Sequence, residues 1–214
     1  MATTTRTKLN TLYSRTASGV PLTSEDLAAL GISADLVVLQ RRIEGLHVGG
    51  KSALDWFGVR QYLSQQPLLH LYGWDATRLP DWFTERFPAE YHRKRLFDEQ
   101  PNALLHIGPF EQRKGAPMVS SPERALLEVL SEVGVRQPLQ EARELAESSY
   151  NLRADVLREL LQHCTSVKTV RLCLQLGREL SLPWTAKLDP AQLPTGSDRR
   201  WVSRSDDGLL VLKP

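Results

Sequence analysis

Leu46 to Leu63, LHVGGKSALDWFGVRQYL, carries a short apolar run, a glycine pair, a helix start and an aromatic stripe in immediate succession. With Gly45 in front, G-L-H-V-G-G-K-S satisfies the phosphate-loop pattern G-x-x-x-x-G-K-[ST]. In that motif loop amides cradle phosphates, the lysine neutralises charge and the hydroxyl reaches magnesium. Read that way, Gly49, Gly50, Lys51 and Ser52 bind a nucleotide, and the chain is an enzyme. The context favours a different reading. A phosphate loop follows a buried strand, yet Gln40-Arg41-Arg42-Ile43-Glu44 is too polar for a central parallel strand, and Leu46-His47-Val48 forms the apolar run inside the supposed loop. No later apolar run ends convincingly in a magnesium-holding aspartate; the nearest, Leu68 to Asp75, is interrupted by His70 and Gly73. The structural alternative is that Gly49 and Gly50 turn a strand into a helix, whose Ala53, Leu54 and Phe57 bury one face.

Further along, Ser120-Ser121-Pro122-Glu123-Arg124-Ala125-Leu126-Leu127-Glu128 and Ser166-Val167-Lys168 with Arg171-Leu172 stand in order behind HVGGKSAL, Gly58 and Tyr62-Leu63, with Pro183-Trp184 after them. Their order and spacing resemble the AbiEi family of antitoxins from type IV abortive-infection toxin–antitoxin systems, from about Leu36 onward. The resemblance implies a bifunctional protein. An N-terminal winged helix would repress its own operon at inverted repeats in operator DNA, and a C-terminal domain would oppose a nucleotidyltransferase toxin without necessarily forming a stable complex with it.

The 214 residues suffice for one large domain or two smaller ones, and 41% hydrophobic with 24% charged residues is ordinary for a folded chain. Lys and Arg number 27 against 25 Asp and Glu, an excess of only two, so nucleic-acid binding would need a local patch. Met1 to Lys8 has no apolar stretch behind it, and no run approaches the roughly 18 residues of a membrane span. Cys164 and Cys173, if on one helix, stand about 13 Å apart, too far for a disulfide. A reduced, cytoplasmic setting is the simplest expectation.

At the N-terminus, Leu9, Leu12 and Tyr13 mark a helix that breaks at Ala17 to Pro21. Thr23-Ser24-Glu25-Asp26 reads as a capping box, Gly31 ends its helix and Ser33 opens another, a helix-turn-helix spacing. Only about ten residues separate Leu36 from Leu46, which leaves no room for a two-stranded wing and a further helix. The wing is therefore expected to be absent, as if a few tens of residues were missing between about Asp35 and Val38, which weakens the case for operator binding. By the resemblance, Ser33, Ala34, Gln40 and Arg41 would face bases and Arg42 a phosphate.

Turn residues then punctuate apolar runs at Leu68 to Tyr72, Leu96-Phe97, Ala103 to Ile107 and Met118-Val119, which predicts a small, mostly antiparallel sheet with helices. His47, His70, His92 and His106 sit in strand candidates with apolar or aromatic neighbours, and alternation would gather several on one surface. No carboxylate accompanies them at diagnostic spacing, so no metal ligands and no cofactor are assigned. Tyr91 to Arg95 is the densest basic cluster and suits an edge strand blunted by charge. Ser121, Pro122 and Glu123 open the first of four amphipathic helices, and Arg200 to Ser203 with Leu209 to Leu212 close the chain as a β-hairpin. The fold class is α+β, divided into a truncated N-terminal DNA-binding domain, 1–42, and an antitoxin domain, 43–214, with a mixed part at 43–120, a helical part at 121–184 and the hairpin at 199–213. No Ser-His-Asp ordering, HExxH pair or closely spaced carboxylate pair emerges as a catalytic signal, so no catalytic residue is assigned.

Overall fold

The structure, a computed structural model, describes residues 21–29, 31–59, 68–98, 102–197, 199–205 and 208–212. The helix expected at Lys8 to Thr16, the Tyr62-Leu63 pair and the Asp206-Asp207 turn lie outside them. The chain divides into two compact units, Met1–Arg95 with Ile107–Ser121 and Leu96–His106 with Pro122–Pro214.

In the first unit, Thr23 and Asp26 form the capping box. The Thr23 amide donates to Asp26 Oδ2 at 3.0 Å and the Asp26 amide to Thr23 Oγ1 at 3.2 Å, which starts α1 (Ser24–Ala29). The next cap lies earlier than the expected Ser33: Gly31, at φ 72°, precedes α2 (Ile32–Gln40). Ile32, Leu36 and Leu39, spaced i, i+4, i+7, are fully buried on one face of α2. Residues 41–46 form no strand, so no wing stands between α2 and β1 (His47–Val48). The Gln40 side chain instead brackets a backbone, donating to Met118 O at 2.9 Å and accepting from Met118 N at 2.8 Å. The helix pair shares a compact unit with the sheet.

That sheet holds β1, β2 (Leu69–Gly73), β3 (Ala89–Arg93), β4 (Ile107–Pro109) and β5 (Met118–Ser120) in the order β3-β2-β1-β5-β4. It is mixed rather than mostly antiparallel: β1/β2 and β4/β5 run antiparallel, β1/β5 and β2/β3 parallel. The reason is in the connections, because parallel neighbours need a crossover. After β1 comes α3 (Gly50–Trp56), and between β2 and β3 the chain carries the short α4 (Asp81–Thr84), with Pro80 at its N-cap. The Leu96-Phe97 run makes only an isolated bridge, Phe97 to Cys164. Of the Ala103 to Ile107 run only Ile107 is strand, since Asn102–Leu104 closes a 3-10 turn and His106 takes φ 55°.

The second unit carries α5 (Pro122–Glu132), α6 (Leu139–Ser148), α7 (Ala154–Gln162) and α8 (Val167–Glu179), and ends in an antiparallel hairpin of β6 (Trp201–Ser205) and β7 (Gly208–Leu212). Leu126, Leu127, Leu130, Leu157, Leu160, Leu161 and Val170 are wholly buried, each worth about 1.5–3 kcal/mol over exposure. Trp184 closes this core, its Nε1 donating to Ser149 O at 3.0 Å. Cys164 lies past the end of α7 and Cys173 within α8, so no single helix holds them apart. Both thiols are buried and outside any disulfide, and burial, followed by the nearby Cys164, pushes the Cys173 thiol far up, leaving it protonated.

The family-like segments in this unit act as its scaffold. Arg124 lies over the Phe97 ring at 4.4 Å, pairs with Glu128 at 2.9 Å and donates to the carbonyls of Ala103 and Leu105 at 3.0 and 2.7 Å. Glu123 accepts from the Arg153 amide and guanidinium. Ser166 caps α8 by accepting from Thr169 N. One turn on, the Lys168 ammonium donates to Ser131 O and Val133 O, both at 2.8 Å, and Arg171 fastens the carbonyls of Thr195, Ser197 and Arg199.

Candidate functional site

The three glycines and Ser52 of the Gly45 to Ser52 segment each have a local structural duty. Gly45 sits at φ 67°, and a β-carbon there would stand 2.6 Å from the Trp74 ring. The Gly49 amide donates to His70 O at 3.1 Å. Gly50 begins α3 at φ 51°, and a β-carbon on it would lie 2.7 Å from the Tyr72 hydroxyl. Ser52, which would hold magnesium in a phosphate loop, accepts from His70 N at 2.8 Å and donates to Leu68 O at 3.3 Å. The central two residues of the supposed loop are strand β1. With an amide and the hydroxyl tied to β2, the segment is a strand-to-helix turn, and the nucleotide reading of Gly49, Gly50, Lys51 and Ser52 finds no geometry to support it.

The same turn packs beside a row of rings. Register places His47 opposite Tyr72 and Tyr72 opposite His92 across three neighbouring strands. His47 stacks on Tyr72 at 6.0 Å and Tyr72 on His92 at 4.6 Å. His70, one step along β2, stacks on His92 at 5.3 Å and brings its Nδ1 to 3.0 Å from His92 Nε2. At that separation only one of the two nitrogens can carry a proton. Burial, then the charges of Lys51 and His92, lowers the His70 pKa to about 3, so its ring is neutral at physiological pH. Glu90, in register with His70, puts its Oε2 4.0 Å from His92 Nε2. His106 does not join them; it meets Glu159 at 2.9 Å in the other unit.

On the helix pair, Ala34, Arg41 and Arg42 are exposed and Ser33 half-buried. Val38, 43% exposed, completes an outward stripe of Ala34, Val38 and Arg41 at i, i+4, i+7. Asp35 in the first turn is paired with Arg86 at 2.6 Å. Gln40 is held by Met118 as described, so it cannot face a base while that clamp stands.

A family model described as the N-terminal domain of the AbiEi antitoxin, a transcriptional regulator, matches residues 36–65. A second, described as the transcriptional regulator AbiEi antitoxin of the type IV toxin–antitoxin system, matches 66–213. The chain belongs to the AbiEi antitoxin family. No curated protein matches it. Among solved structures, that of the RV2827C protein from Mycobacterium tuberculosis is similar at 16% identity and a TM-score of 0.45, over 79% of this chain and 63% of that one. The chain therefore spans less than two thirds of that relative's length.

In this AbiEi-family chain the boundary between the two family models, 65/66, does not divide the fold. Strand β1 from the first matched segment pairs with β2 and β5 from the second. Among the described residues no helix is long and apolar enough to cross a membrane. Sequence reasoning foresaw that histidines would gather on a sheet face but missed the carboxylate with them. The available signal was Glu90-x-His92, which strand alternation places on one face; what could not be read was that β3 would lie parallel to β2 in a register that puts His70 beside both.

Proposed function

We propose that this AbiEi-family regulator represses its own operon by docking the helix pair α1–α2 on operator DNA, and that it counteracts a nucleotidyltransferase toxin. The observation that carries the DNA half is the outward stripe of α2, with Ala34 and Val38 apolar toward base methyl groups, Arg41 continuing the same stripe toward base edges and Arg42 exposed toward a phosphate. Ser33 stands at the start of the same helix, where a recognition helix meets base edges. The Arg86 partner of Asp35 offsets the carboxylate that would otherwise repel a phosphate near the helix N-terminus. Gln40 is left out of the reading set because its amide holds β5. The toxin half rests on family membership.

The test is fluorescence anisotropy of the full chain on the DNA upstream of its own reading frame, repeated across a salt series. Binding should weaken with salt, and Arg41→Ala/Arg42→Ala should lower affinity and flatten the log–log salt slope without changing the unfolding midpoint. Absence of any salt-sensitive binding rules out operator recognition by this chain. Coexpression with a nucleotidyltransferase toxin of a type IV system should restore growth; continued toxicity with the antitoxin soluble and abundant would overturn the second half.

A further inference from the structure

We propose that His70, Glu90 and His92 form a binding site for a divalent transition metal of the zinc type on the ring-bearing face of the sheet. His70 Nδ1 or Nε2, His92 Nε2 or Nδ1 and a Glu90 oxygen offer ligand atoms that all lie within 4.8 Å of one another. Two imidazoles with one carboxylate select zinc over the oxygen-preferring magnesium and calcium. Tetrahedral coordination at about 2.0 Å needs ligand atoms about 3.3 Å apart. Here His70 Nδ1 and His92 Nε2 stand at 3.0 Å, and His92 Nε2 and Glu90 Oε2 at 4.0 Å. Closure thus requires the imidazoles to part by a few tenths of an ångström and the carboxylate to move in by about 0.7 Å toward His92 and by no more than about 1.5 Å toward His70.

The two imidazoles are held by register and stacking, and the carboxylate lies at the more exposed side of the cluster. The parallel register of β2 and β3 holds His70 level with Glu90 and Tyr72 level with His92. His92 is 4% exposed and stacked between Tyr72 and His70, while the Ser52 hydroxyl pins the His70 backbone. The Glu90 side chain is 36% exposed, with its Oε2 already 4.0 Å from His92 Nε2. The charge of Lys51, felt at His70, opposes a cation, and Glu90 is the charge that offsets it. Three protein ligands leave a fourth position for water. An ion there would tie the edge strand β3 to β2.

The measurement is titration of the full, chelator-stripped chain with zinc(II) against a chromophoric competitor, together with the visible spectrum of the cobalt(II)-loaded protein. One equivalent should bind with micromolar or tighter affinity, the cobalt spectrum should show intense tetrahedral bands, and zinc should raise the melting temperature. Glu90→Gln, at a partly exposed position, should weaken binding at least tenfold, and His70→Asn should abolish it. No stoichiometric binding to the wild-type chain, or binding that Glu90→Gln leaves unchanged, overturns the site and leaves a neutral hydrogen-bonded histidine pair. The wild-type cobalt spectrum decides the matter even if His70→Asn fails to fold.

Discussion

At position 50 the backbone stands at φ 51°, and the Tyr72 hydroxyl occupies the space a β-carbon would need, 2.7 Å away. Both facts exclude a side chain, for separate reasons: left-handed backbone strain and steric overlap. Gly50→Ala should therefore lower unfolding free energy by about 1–3 kcal/mol in urea, and adding Tyr72→Phe should recover only the steric part. A double-mutant cycle separates the two; full recovery would mean that the backbone angle costs nothing. At the same scale Gly45 answers to Trp74 and Ser52 to the backbone of β2. These contacts explain why a sequence that spells a phosphate loop builds a turn. The pattern records residue types, whereas the chemistry depends on which amides and hydroxyls remain available.

Among elements, α5 is unusual in burying charged residues on several sides: Glu123, Arg124, Glu128 and Glu132 are each under a tenth exposed. The Arg124–Glu128 pair is an i, i+4 bridge at 2.9 Å with both side chains buried. Removing one partner leaves the other charge without its counterion in a low dielectric, so Arg124→Met should cost about 3–5 kcal/mol by chemical denaturation. Arg124→Met/Glu128→Leu should recover only part, because the carbonyls of Ala103 and Leu105 still lose their donor. A smaller pH effect belongs to α8. The Arg143 hydrogen bond first, then that of Gln175, holds the Glu179 carboxyl below its ordinary value of 4.5. A carboxyl with a depressed native pKa contributes stability above its unfolded value, and loses it as pH falls through the native one. Arg143→Ala should therefore shrink the drop in melting temperature on going from pH 6 into that acid range. The change should be slight, since both side chains are more than a third exposed. An unchanged acid profile in the variant would remove this pair from the stability of α8.

Over the whole molecule, the chain leaves its first unit at Arg95, returns at Ile107 and leaves again at Ser121. Strand β5, supplied by the return, pairs with β1 and receives the Gln40 clamp. A fragment ending at Arg95 would lack β4 and β5 and present β1 as an open edge, an arrangement prone to aggregation. It should show no cooperative unfolding by circular dichroism, whereas a fragment ending at Ser121 should retain it; equal cooperativity in both would show that the return segment is dispensable. The compact units are set by such pairings between residues far apart in the chain.

What the sequence by itself determined is local. The Thr23 capping box, the proline-opened helices α4, α5 and α6, the four amphipathic stripes of the second unit and the closing hairpin all follow from spacing within a few residues. So does the absence of a wing, which is a matter of chain length. The tertiary structure alone decided the rest. A crossover through α4 made β2 and β3 parallel, and that register set His70, Glu90 and His92 side by side. The break between α7 and α8 removed the helix that would have kept Cys164 and Cys173 apart. Period and propensity act along the chain, whereas sheet register and the pairing of distant strands are fixed by which buried faces fit, and no short-range pattern encodes that fit.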